Sequence, residues 1–198
     1  MHYTKCTLII SNLNPSAMHT LKQYLTDIGA CKEAKMWVGD KSLAEAWATC
    51  QRGDWMLRLA KRACVDIRPL TLAKAECAAL ALPYMRERSI TAVEVASRFG
   101  MGEASMDDMA AAYAYVSADA DDPDAYPPRS HIYAAYAAAD AANTEADAAA
   151  AATYAALVYA RAESTYTAAF ATKRKILSRC ADIVRGIITI EMLNLPEL

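Results

Sequence analysis

This chain is short of the residues from which reactive centres are usually built. Of its 198 residues only three are histidine, and His2, His19 and His131 fit no HExxH pattern. GxSxG and P-loop signatures are missing too. The six cysteines, at 6, 31, 50, 64, 77 and 180, make no CxxC pair and no Cys/His zinc spacing. No catalytic residue, metal or cofactor is therefore expected. The N-terminus lacks the charged-then-apolar layout of a secretory signal, so the expectation is a cytoplasmic chain with reduced thiols. Long hydrophobic runs are also lacking. The longest, Ala148 to Ala160 with Thr153 inside it, lies between Asp147 and Arg161, too short and too alanine-rich to span a bilayer.

Charge of one sign is scarce overall, the formal net value being -2, so no global field marks a nucleic-acid binder. Its distribution is uneven. Residues 1–100 hold 14 Lys/Arg against 9 Asp/Glu, 101–172 hold 2 against 11, and 173–198 hold 5 against 3. The middle third is distinctly acidic.

What the chain has in abundance is alanine, 44 residues, most of them after residue 104. Alanine fixes no side-chain rotamer on entering a helix, so this composition predicts an all-α fold with closely packed helices. Helix starts recur along the chain. Asn14-Pro15 sets a cap before a proline, and Ser42 with Glu45, Thr91 with Glu94, Ser105 with Asp108 and Thr144 with Asp147 have capping-box spacing.

The stretch AWATCQRGDWMLRLAKR, 46–62, reads as a joint between two helices. Leu43, Ala46, Trp47 and Cys50 share one face, and Met56, Leu59, Ala60 and Ala63 share another. Gly53 is expected to end the first helix in a left-handed conformation and Asp54 to cap the second, with Trp47, Cys50 and Trp55 in the core.

Leu70, Ala73, Cys77, Leu80 and Tyr84 keep helical period, and Pro83 predicts a kink or break there. A short helix from Thr91 to about Gly100 follows, then one from about Met106 to Ala118. The stretch 118–130, rich in aspartate and proline, reads as an exposed acidic loop. From Pro128 to Gly186 one unbroken helix would extend about 85 Å, too long for a domain of this size. It must fold back, at Asn143-Thr144 and again near Ser164-Thr165. The expectation is a single helical domain over 1–198 with about seven to nine helices. Within it, 1–100 carries a slight basic excess and 131–190 forms an alanine-rich helical hairpin. The sole strand candidate, Cys6 to Ile10, has no partner strand.

Two motifs fall short of chemistry. Gly100-Met101-Gly102 follows a helix and lacks the further glycines of a phosphate cradle, and Pro123 interrupts the aspartates that otherwise resemble a calcium loop. Eight tyrosines lie between 113 and 166. Tyr154, Tyr159 and Tyr166 are expected to fill alanine-lined grooves, and Tyr126 to stand exposed for contact.

With AWATCQRGDWMLRLAKR, the TLAKAECAALALPYM run at 71–85 and the alanine-rich tail, the sequence resembles the type-five family of immunity proteins of bacteria and phages. Its specific part is Ala46, Trp47, Cys50, Arg52, Asp54, Trp55, Met56 and Leu57, then Ala81, Leu82 and Pro83. The resemblance implies a non-catalytic inhibitor that neutralises a toxin or a bacterial defence protein, such as a CRISPR or nuclease component, by direct contact. An acidic face suits a basic partner. Glu103, Asp107, Asp108, Asp119, Asp121, Asp122, Asp124 and Tyr126 are the expected contacts. Alanine faces also allow self-association. A second class stays open: a sponge holding a nucleotide signal between helices, with Arg52, Arg58, Lys61, Arg62 and Arg68 on its phosphates.

Overall fold

The structure, a computed structural model, describes residues 20–120, 130–139, 145–161 and 165–195. Among these every regular element is helical. Ten α-helices follow one another: α1 Leu21–Asp27, α2 Lys32–Val38, α3 Leu43–Thr49, α4 Gly53–Arg62, α5 Ile67–Ala79, α6 Glu87–Met101, α7 Met106–Ala120, α8 Ser130–Ala139, α9 Glu145–Arg161 and α10 Tyr166–Ile187. Short 3-10 turns occupy Leu82–Tyr84 and Ile190–Leu193. The count exceeds the expected seven to nine because the N-terminal part is cut into pieces of 7 residues. Gly39, at φ 53°, ends α2, and Ser42 at once restarts the chain as α3. Helices this short do not stand alone in water; burial of Leu21, Tyr24, Val38, Leu43 and Trp47 in a common core holds them.

Capping chemistry sets most boundaries. Ser42 and Glu45 form the expected reciprocal box, Glu45 N donating to Ser42 Oγ at 3.2 Å and Ser42 N to Glu45 Oε2 at 2.9 Å. Thr91 does not start a helix. Helix α6 begins a turn earlier, and the Thr91 hydroxyl donates to the Glu87 carbonyl at 3.0 Å, the back-bond of a threonine inside a helix. Helix α5 stops at Ala79, and Pro83 lies exposed in the 3-10 turn beyond it, where its missing N–H costs nothing. Residues 130–187 make three helices rather than a two-helix hairpin, because Thr165 caps α10 by accepting from Ala168 N at 3.2 Å. The expectations at Cys6–Ile10, Asn14-Pro15 and Asn143-Thr144 lie outside the described residues.

Two apolar cores share α5 and α9. The first gathers Trp47, Met56, Leu57, Leu70, Leu177 and Val184 around Ala73, Cys77, Ala152 and Ala156. The second gathers Val93, Phe99, Met109 and Val116 around Ala75, Ala78, Ala134 and Ala135. Helix α9 packs against α4, α5, α8 and α10 at once. Four neighbours fit around one helix because Ala151, Ala152, Ala155 and Ala156 present only methyl groups, all fully buried.

Tyr154 and Tyr159 fill grooves as expected. The Tyr159 hydroxyl donates to the Leu80 carbonyl at 2.6 Å, and Tyr154 packs against Tyr133 with centroids 5.2 Å apart. Tyr166 does not. It is 87% exposed, since the apolar stripe of α10 is covered only from Ile176 onward. Cys31, Cys50, Cys77 and Cys180 are free thiols, whereas Cys64 is disulfide-bonded, a departure from the fully reduced set expected. No described helix is long and apolar enough to cross a membrane.

Candidate functional site

The corner at 46–62 is a joint, built differently from the expected stop and restart. Helix α3 ends because Cys50 turns extended, at φ -63° and ψ 129°. Gly53 is not a left-handed terminator but the first residue of α4. Its missing side chain leaves room for α10: a Cβ there would lie 2.4 Å from Cys180 Cβ and 2.7 Å from Ala181 N. Asp54 is not the cap, a position held by Arg52. Its buried carboxylate takes two bonds from the Arg52 guanidinium, at 2.8 and 2.6 Å. Negative charge in the first turn still suits the helix dipole.

Arg185 of α10 completes the joint, a role that its local sequence does not announce. Its Nη1 donates to the Cys50 and Trp47 carbonyls at 2.6 and 3.2 Å, satisfying the end of α3 from 135 residues away. The one visible signal was a cation beside the apolar stripe of α10. Burial pushes the Cys50 and Cys77 thiols up, so neither is a thiolate at neutral pH or suited to act as a nucleophile.

All three tryptophans of the chain meet at this corner. Trp55 and Trp37 pack edge to face, centroids 6.2 Å apart. The Arg52 guanidinium lies 4.3 Å above Trp55 and the Lys41 ammonium 4.8 Å above Trp37. Between α1, α2, α3 and α4 the packing leaves an almost entirely apolar cavity of about 50 Å³, with Trp47 and Cys50 in its wall. A neighbour of about 150 Å³ shares Leu25, Ala34, Trp55 and Leu59 with it and adds Ile28, Ala30, Cys31, Asp54 and Arg58.

Several of the basic residues expected on a phosphate are engaged by protein groups. Arg52 is bound to Asp54 and stacked on Trp55. Arg62 donates to the Ile28 carbonyl at 3.4 Å. Arg68 lies away on α5, donating to the Phe99 carbonyl at 2.7 Å over the Phe99 ring. Arg58 is the member that lines the larger cavity, and Lys61 lines neither.

The expected acidic contacts divide. Asp121, Asp122, Asp124 and Tyr126 lie outside the described residues, and Asp119 is placed only as part of helix α7. Glu103, Asp107 and Asp108 are exposed around a rigid turn. Gly102, left-handed at φ 87°, ends α6; its N–H donates to the Phe99 carbonyl and that of Glu103 to the Arg98 carbonyl, at 3.0 and 2.8 Å. Ser105 and Asp108 then form a reciprocal box, so Asp108 is first a cap. The Ser105 N–H and hydroxyl hold its carboxyl below the usual carboxylate range. Arg98, donating to the Glu103 carbonyl at 3.4 Å, offsets part of the acidity.

Beyond this turn α7 exposes a run of small and apolar residues, with the Arg88 guanidinium 5.0 Å over the Tyr115 ring. Met106 and Tyr115 are 47% and 43% exposed, with Ala110, Ala111 and Ala114 exposed between them. Among the described residues no His, Cys, Asp and Glu side chains group as a metal site would require. No family model, no curated protein and no solved structure matches the chain.

Proposed function

We propose that the chain is a non-catalytic binding protein, immunity-like in action, that neutralises a toxin or a bacterial defence protein by docking it on the outer face of α7. One observation supports this reading above the others. Ala110, Ala111 and Ala114 are exposed on one side of the helix and let a partner helix approach closely, and Met106 and Tyr115 stand about 14 Å apart along the axis at the two margins of that side. Large side chains at the margins of a patch of small residues, with charge at one end, is how interfaces concentrate their binding free energy. Glu103 and Asp107 at the α6–α7 turn favour a partner with a basic rim and fix its direction on the strip. The nucleotide alternative draws less support, since Arg52, Arg62 and Arg68 are already engaged by protein groups.

Site-specific photo-crosslinking tests the proposal in cells that naturally make the protein. A benzophenone side chain replacing Ala111 should capture one defined protein, and one replacing the exposed Ala171 of α10 should not. Glu103→Lys with Asp107→Lys should reduce the adduct. No adduct at 111, or the same adduct from both positions, would remove α7 as the docking face.

A further inference from the structure

We propose that the first turns of α10 form a docking surface for single-stranded nucleic acid. The surface begins where the core ends. Tyr166, Phe170, Lys173 and Arg174 fall at i, i+4, i+7 and i+8 on one side of the helix, and Leu177, Cys180 and Val184 continue that side into the core. Tyr166 and Phe170 are uncovered, at 87% and 54% exposure. The open side thus presents two rings about 6 Å apart along the axis, followed by two cations.

Charge sets the sign of the partner. From 166 to 179 the helix holds Lys173, Arg174, Lys175 and Arg179 and no acidic residue. None of these four cations forms an ion pair with a described residue. The net charge of -2 does not cancel them, because a field at physiological salt is screened within about 8 Å. A polyanion is the matching partner. The rings narrow the choice. A lipid surface calls for a broad apolar face, and here Thr167 and Ala171 beside the two rings add little apolar area. An acidic peptide would leave both rings without use. A single strand engages both features, since its bases stack on exposed aromatic side chains while its phosphates meet the cations. The Arg174 guanidinium, 5.9 Å from the Phe170 ring centre, adds a flat cation beside the platform. A duplex keeps its base faces stacked and has only the cations to use.

Fluorescence anisotropy of a short labelled oligothymidylate, titrated with the full chain, tests this. Binding should saturate with a dissociation constant of about 10 µM in about 50 mM salt and weaken about tenfold by about 200 mM. Tyr166→Ala and Phe170→Ala, both at exposed positions, should each weaken it about tenfold while circular dichroism stays that of the unaltered protein. Lys173→Gln with Arg174→Gln should lower the slope of log affinity against log salt by about 1.4. A duplex of the same length, polyglutamate and vesicles rich in phosphatidylserine should all bind more weakly than the single strand. The proposal is overturned if the oligonucleotide fails to saturate, or if Phe170→Ala or the double variant binds it as well as the unaltered chain does. Equal affinity for the duplex or for polyglutamate would leave a plain cationic patch in its place, and tighter binding to the vesicles a membrane surface.

Discussion

At the scale of single residues, Gly53 and Gly186 show how one residue type does opposite jobs. Both lie in helices, where glycine is a poor helix former. At Gly53 the absent side chain lets α4 touch the backbone of α10 at Cys180 and Ala181, whereas a Cβ at Gly186 would meet nothing within 4 Å. Gly53→Ala should therefore destabilise the protein by about 2 kcal/mol or more, since the clash is with backbone and not with a movable side-chain end. Gly186→Ala should stabilise it by about 0.5–1 kcal/mol by removing backbone freedom from the unfolded chain. Urea midpoints at constant m-value would read both. Equal effects would mean that the approach of α4 to α10 is looser than described.

At the scale of elements, boundaries are set by side chains that satisfy the first free N–H groups of each helix. Thr165 does this for α10, the longest helix described, and Thr165→Ala should cost about 1 kcal/mol by the same measurement. The capping boxes add a pH dependence. The Ser42 backbone N–H and hydroxyl, with Lys41 nearby, hold the Glu45 carboxyl below its ordinary value in the folded chain. A carboxyl whose folded pKa is lowered stabilises fully above its unfolded pKa and loses that contribution as pH falls through the folded one. The effect of Glu45→Gln on the midpoint should thus be present at neutral pH and fade in acid, below the ordinary carboxylate range. Asp108, held low by Ser105, should behave alike. An Asp108→Asn effect that did not vary with pH would show its box to be unformed in solution.

At the scale of the molecule, α9 is tightly constrained, with four helices packed around buried alanines. Ala156→Leu adds volume where packing is already at crystal density and should destabilise by about 3 kcal/mol, while Ala171→Leu on exposed α10 surface should lie within about 0.5 kcal/mol of neutral. Thermal unfolding followed by circular dichroism would distinguish them. Comparable melting of the two variants would show that the alanines of α9 are not close-packed.

The sequence by itself determined the helical class and many of the breaks. Alanine content, Pro83, Ser42, Ser105 and Thr165 act within one turn of the chain, so their effects are legible without knowing what lies across from them. The tertiary structure alone decided the rest. By local pattern Gly53 is a terminator and Asp54 a cap; Cys180 against the empty side of the first and Arg52 bound to the second decide otherwise. Thr91 had the spacing of a start, yet the helix had already begun at Glu87. The tryptophan cavity was invisible in the sequence because its walls come from α1, α2, α3 and α4, as was Arg185, whose partners are carbonyls 135 residues away. Capping is local and leaves a local signature. Packing depends on which surfaces meet, and an alanine-rich chain, whose helices present nearly identical methyl faces, gives little sign of that choice in its order of residues.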